Sequence, residues 1–199
     1  MANLLQANSD YILFVQSVAM LLLALQGWFL ARADTGFRWL WLGAFFLAQT
    51  VNVWLDILSL SGFVWEGTPL VQGAIQLASF LSLAELARSS AHPIRRFKPG
   101  IWIHIPLIAA ALLLNRLAPD HTLRASAAYA LALPCGAWFG ILLWKSGRQH
   151  PFRQARALLR QAALVMTIYT LALVLSTPSS ASLSLASEGT GLDAVIQTA

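Results

Sequence analysis

Six apolar runs fill most of this chain, at residues 11–31, 37–60, 68–87, 100–117, 123–144 and 157–176. Between them lie short stretches carrying Gly, Pro, Asp or Ser, residue types that punctuate helices. A helix needs about 20 mostly apolar residues to cross a hydrocarbon core of roughly 30 Å, and each run is of that order. The pattern predicts an all-α, polytopic transmembrane bundle of six helices within residues 1–176. The segment 177–199, TPSSASLSLASEGTGLDAVIQTA, begins as a Ser-rich linker,. Its last residues, GLDAVIQTA, read as the start of a truncated seventh helix.

The second run is not uniformly apolar. FFLAQTVNVWLDILSL, residues 45–60, contains Gln49, Asn52 and Asp56. At 100° per residue these three fall within about 60° of one another on one helix face. Gln72, Gln76 and Ser79 form a matching stripe on the third helix,. A short loop joins the two helices, so they are antiparallel neighbours and the stripes face each other. A carboxylate turned toward lipid costs roughly 2.5–3.5 kcal/mol on the mildest scale, so Asp56 points inward or lies near the headgroups. Three readings stay open for the stripe. The side chains bond helix to helix, at about 1 kcal/mol or less per contact; or Gln49, Asn52, Asp56, Gln72 and Gln76 line a ligand cavity; or they mark an ion or proton path.

Composition agrees with the run count. Hydrophobic residues make up 58% of the chain and charged residues only 11%, against about 25% in a soluble domain. The net charge of +5 is unevenly placed. Arg32 and Arg38 flank the first loop; Arg88, Arg95, Arg96 and Lys98 surround the third; Lys145, Arg148, Arg153, Arg156 and Arg160 lie in or beside the fifth. Only Arg116 and Arg124 fall on the other side. Cytoplasmic loops carry the excess of Lys and Arg, which sets the N-terminus and the 177–199 tail outside. The same asymmetry puts Asn52, Asp56, Gln72 and Gln76 in the outer half of the bilayer. Topology thus accounts for the basic charge, with anionic headgroups as its partner, and nucleic-acid binding is not expected.

Residues 1–10 hold no Lys or Arg, so the first run is a retained helix rather than a signal peptide,. Cys135 is the single cysteine, which excludes an internal disulfide and suits a small buried side chain,. Trp54 and Trp65 near the outer boundary, and Trp39 and Trp41 near the inner one, read as interfacial anchors,. Pro106 and Pro134 lie inside helices as packing kinks, hinges or cavity-shaping bends,.

Glu85 and Arg88, spaced i, i+3 at the cytoplasmic end of the third helix, suit an ion pair,. Of four histidines, His92, His121 and His150 fall in loops and His104 about one turn into the fourth helix, a poor arrangement for a bis-histidine haem. Zinc and di-iron motifs, phosphate loops and nucleophile elbows are missing from the sequence,. No cofactor, metal or enzymatic activity is expected.

Several motifs resemble the multi-pass membrane sensor modules at the N-termini of bacterial histidine kinases and diguanylate cyclases. Their second helix tends to read W-L-x-x-F-x-x-x-H-G-x-x-E-W-x-D; this chain has WLWLGAFFLAQTVNVWLDIL, with Trp54 and Asp56 matching, Gln49 in place of the His and Val53 in place of the Glu. Their third helix often ends S-F-L-x-L-x-E-F-G-R; here it is SFLSLAELAR, keeping Ser79, Phe80, Leu81, Leu83, Glu85 and Arg88. YALALPCGAWFGILLWKSGR is similar to the fifth. The resemblance implies residence in a bacterial inner membrane and a sensory role, with a seventh helix leading to a cytoplasmic output domain. Glu85 and Arg88 would then form the signal junction. The alternative is an accessory subunit of a larger respiratory or photosynthetic membrane complex. A transporter ranks third, since residues 11–87 and 100–176 show no persuasive repeat. The expected partners are the bilayer and a protein partner or second copy.

Overall fold

In a computed structural model the described residues are 9–32, 38–63, 65–90, 100–117, 122–149 and 153–176; they contain helices and turns and no strand. We number the helices α1 (Ser9–Ala31), α2 (Trp39–Leu60), α3 (Thr68–Ser90), α4 (His104–Leu117, entered through a 3₁₀ turn at Ile101–Ile103), α5 and α6 (Arg153–Ser176). Helix α5 is continuous over 123–149 but changes character along its length. Leu123–Ala127 is α-helical, Ala128–Ala132 is a π turn, and Leu133–Gln149 is α-helical again. Five of the described helices are long and apolar enough to cross a membrane; α4 is shorter. The 177–199 tail and its expected seventh helix lie outside the described residues, as do His92, His121 and His150.

Local chemistry sets the helix ends. Helix α2 stops in a Schellman turn. The Phe63 N–H donates to the Leu58 carbonyl and Gly62 N–H to Ser59, with Gly62 at φ 81°, a backbone angle that favours glycine,. Pro69 occupies the first turn of α3, where a missing N–H costs nothing,. Thr122 caps α5 by accepting the Ala125 N–H at 3.2 Å,.

The two prolines sit in different helical settings. Pro106 sits in the first turn of α4, where its nitrogen has no helical partner to lose,. Pro134 lies two residues past the end of the π turn. A proline ring collides with the carbonyl four residues earlier in a regular helix, and the wider π turn opens room for it.

Helix α1 packs chiefly on α2, α2 on α3, and α5 on α6, while α3 also packs on α4 and α5 and so lies centrally. The core collects Phe45 and Phe46 of α2, Phe80, Leu83 and Leu86 of α3, Leu131, Cys135 and Phe139 of α5, and Met166 of α6. Phe45 ties three helices together. Its ring centroid lies 6.2 Å from Phe80 and 6.3 Å from Tyr169, edge-on to the latter. Glycines set the close approaches. A Cβ on Gly27 would stand 2.8 Å from the Gly43 nitrogen, so α1 and α2 meet backbone to backbone,. A Cβ on Gly136 would stand 2.4 Å from Thr170, which closes α5 onto α6.

The outer surface is strongly apolar. Ile12, Val15 and Leu22 of α1, Ile105 and Leu113 of α4, and Leu164, Val165 and Ile168 of α6 are all exposed. A soluble domain rarely presents contiguous patches of that size, and such a surface is compatible with contact to lipid.

Candidate functional site

The stripes on α2 and α3 meet as a ladder of three rungs. Gln49 Nε2 donates to Ser79 Oγ at 2.9 Å, Asn52 Nδ2 to Gln76 Oε1 at 2.7 Å, and Gln72 Nε2 to Asp56 Oδ1 at 3.0 Å. Positions rise by three and then four along α2 as their partners fall by three and then four along α3, which is what two antiparallel helices with one shared seam require,. All five candidate site residues therefore lie together, each bonded to a side chain of the facing helix.

The rungs differ in environment. Asn52, Gln49, Gln76 and Ser79 are buried, and Ser79 Oγ also donates to the Gln76 carbonyl at 2.7 Å. The third rung reaches the end of the bundle and is part-buried. One buried acceptor remains open. Asn52 is 0% exposed, and its Oδ1 has no hydrogen-bond partner among the described residues. Leaving such an atom unsatisfied costs about 1–3 kcal/mol.

The structure adds a residue to this group that the stripes do not contain. Arg124, in the first turn of α5, forks onto Asp56: Nη1 donates to Oδ1 at 2.5 Å and Nη2 to Oδ2 at 2.8 Å. The side chains are 26% exposed for Asp56 and 30% for Arg124, so water screens the pair in part,. Gly73 makes the approach possible. A Cβ there would lie 2.8 Å from Leu123 Cβ, so the bare glycine lets the start of α5 press against α3 beside Gln72. The buried hydroxyl of Tyr169 on α6 likewise lacks a hydrogen-bond partner among the described residues.

A second polar group lies at the opposite end of α3. Arg88 forks onto Glu85, Nε to Oε2 at 2.7 Å and Nη2 to Oε1 at 2.5 Å. His104, which opens α4, adds a contact between helices: its Nε2 stands 3.5 Å from Glu85 Oε2 while its Nδ1 lies 2.9 Å from the Ile101 carbonyl oxygen. Glu85 and Arg88 thus form the expected i, i+3 pair, and His104 extends it to a neighbouring helix. Among the described residues no group of three or more His, Cys, Asp and Glu is placed to hold a metal ion.

Arg124 could have been found in the sequence by elimination. A carboxylate within an apolar helix calls for a cation, and only Arg116 and Arg124 share its end of the bundle,. The Glu85–His104 contact carries no comparable signal, because 103 and 105 fit the same helical pattern as 104. Comparison with known proteins gives no further guide: no family model, no curated protein and no solved structure matches this chain.

Proposed function

We propose that this chain is a membrane-embedded sensory input module, its N-terminus outside, in which α3 links an outer polar site to a cytoplasmic junction. One observation carries the reading. Helix α3 bears Gln72, tied into the Asp56–Arg124 pair, and about 20 Å further along bears Glu85, which pairs with Arg88 and stands 3.5 Å from His104 of α4,. A ligand that competes for Asp56 or Arg124 acts on a helix whose far end holds a second interhelical contact. Signalling requires only that the ligand bind two packings of these helices unequally. Basic residues concentrated toward the Glu85 end support the sidedness,. The motifs around Trp54, Asp56 and SFLSLAELAR support the sensory class, and the output would come from a downstream domain or a partner.

The test is a distance measurement. Spin labels at Ser89 on α3 and Leu107 on α4 report the inner junction in nanodiscs. Asp56→Asn, at the other end, is expected to change the label-to-label distribution; identical distributions with and without the substitution would remove the reading.

A second reading, an accessory subunit of a larger membrane complex, is favoured by α1. That helix packs chiefly on α2 and leaves Tyr11, Phe14, Leu22, Trp28 and Phe29 exposed, a broad face for another protein. Co-migration in mild detergent at fixed stoichiometry with a respiratory or photosynthetic assembly would favour it over the sensor.

A further inference from the structure

The α5–α6 hairpin carries a concentration of charge that neither polar group of α3 uses. Lys145, Arg148, Arg153, Arg156 and Arg160 fall within sixteen positions, and residues 123–176 contain no Asp or Glu at all. The charges converge because the helices close tightly there. A Cβ on Gly147 would lie 3.3 Å from the Arg156 carbonyl oxygen and 3.5 Å from Arg160 Cγ. Lys145 and Arg148 are thereby brought beside the first two turns of α6. Arg160 lies 5.2 Å over the Trp144 ring, a cation–π contact that holds its guanidinium at the hairpin mouth,. Its Nε is buried and has no hydrogen-bond partner among the described residues. A guanidinium so held presents donors in the planar fork that suits a phosphate.

We infer that this hairpin mouth is a binding site for the phosphate of an anionic phospholipid headgroup, with Arg160 as the fixed donor and Lys145 and Arg148 as surrounding charge. A lipid rather than a soluble anion is the fitting occupant. The cations cap two helices long and apolar enough to cross a bilayer, and an exposed Trp144 beside Arg160 is the pairing found at a headgroup boundary,. The inference rests on the bilayer part of the proposed function, and not on its sensory part.

The experiment uses the purified full chain in neutral detergent, with equal amounts of phosphatidylglycerol and phosphatidylcholine, and reads retained lipid by native mass spectrometry. Phosphatidylglycerol is expected to be retained preferentially. Arg160→Gln should reduce that preference about fivefold, the share expected of one basic residue near a headgroup. Lys145→Gln serves as an exposed second variant that leaves the packing intact and should lower the preference in the same direction. Arg116→Gln, at the other end of the bundle, should leave it unchanged. Equal retention of the two lipids, an unaltered preference in both hairpin variants, or equal displacement of phosphatidylglycerol by inorganic phosphate would overturn the site. A chain that stays dispersed in water without detergent or lipid would overturn the bilayer reading and the site together, whereas loss of the preference alone leaves the bilayer reading standing.

Discussion

Asp56 of α2 and Arg124 of α5 are 68 residues apart in sequence, yet they form a forked ion pair at 2.5 and 2.8 Å. The pair joins helices that otherwise share little direct backbone contact. It also explains how a carboxylate fits within an apolar segment: Asp56 receives three hydrogen bonds from two helices.

Removing either charge leaves the other part-buried without its counter-charge. Asp56→Asn and Arg124→Gln are each expected to destabilise the fold by about 1–2 kcal/mol, between the values for exposed and fully buried pairs. The double variant should cost clearly less than the sum. Thermal unfolding in detergent measures the cycle, and strict additivity would show that the two side chains do not interact.

The buried middle rung makes a different prediction. Asn52→Leu removes the donor to Gln76 Oε1 and at the same time removes the open Oδ1, so its cost should stay at or below about 1 kcal/mol,. Gln76→Leu deprives Asn52 of its one partner and leaves both amide ends unsatisfied. It should therefore be the more destabilising substitution, by about 1 kcal/mol. Equal losses in an unfolding titration would mean that Oδ1 has a partner after all.

How far these features were legible in the sequence depends on range. The α2 and α3 stripes come from a fixed 100° step, and a short loop makes the helices neighbours, so the rungs from Gln49, Asn52 and Asp56 follow from local geometry. Arg124 reads first as a marker of sidedness: elimination leaves it beside Arg116, and nothing in a one-dimensional pattern says which of the two leans over Asp56. The π turn at Ala128–Ala132 is similarly silent: a proline signals some adjustment, and not which one. The glycines of GAWFG, Gly136 and Gly140, did carry a signal, since small residues four apart let helices approach closely,. Their partners Thr170 and Thr167 were not assignable without the fold.

Close backbone contact separates two glycines that look equivalent in sequence. A Cβ on Gly27 would lie 2.8 Å from the Gly43 nitrogen and 2.9 Å from its Cα, atoms that cannot rotate away; on Gly43 the nearest atom is the Ala24 carbonyl oxygen at 3.1 Å. Gly27→Ala should force α1 off α2 and cost about 1–3 kcal/mol, the range for overpacking, with Gly43→Ala at the low end of it. A larger loss for Gly43→Ala in the same unfolding assay would contradict the packing.

Gly73 links packing to the polar site. Its missing side chain admits Leu123, with Cβ and Cγ both 2.8 Å from where a methyl would sit, and Leu123 is followed directly by Arg124. Gly73→Ala pushes the first turn of α5 outward and so lengthens the Arg124–Asp56 contact. The substitution should cost about 1–3 kcal/mol through overpacking, and part of that loss should disappear when Asp56→Asn has already removed the pair. Gly73→Ala should therefore be less harmful in the Asp56→Asn background than in the parent chain, by several tenths of a kcal/mol or more. Leu123→Ala still leaves Cβ in the way, so it relieves Gly73→Ala only in part. Were the two effects to add without remainder, the glycine would be packing α3 against α5 independently of the ion pair.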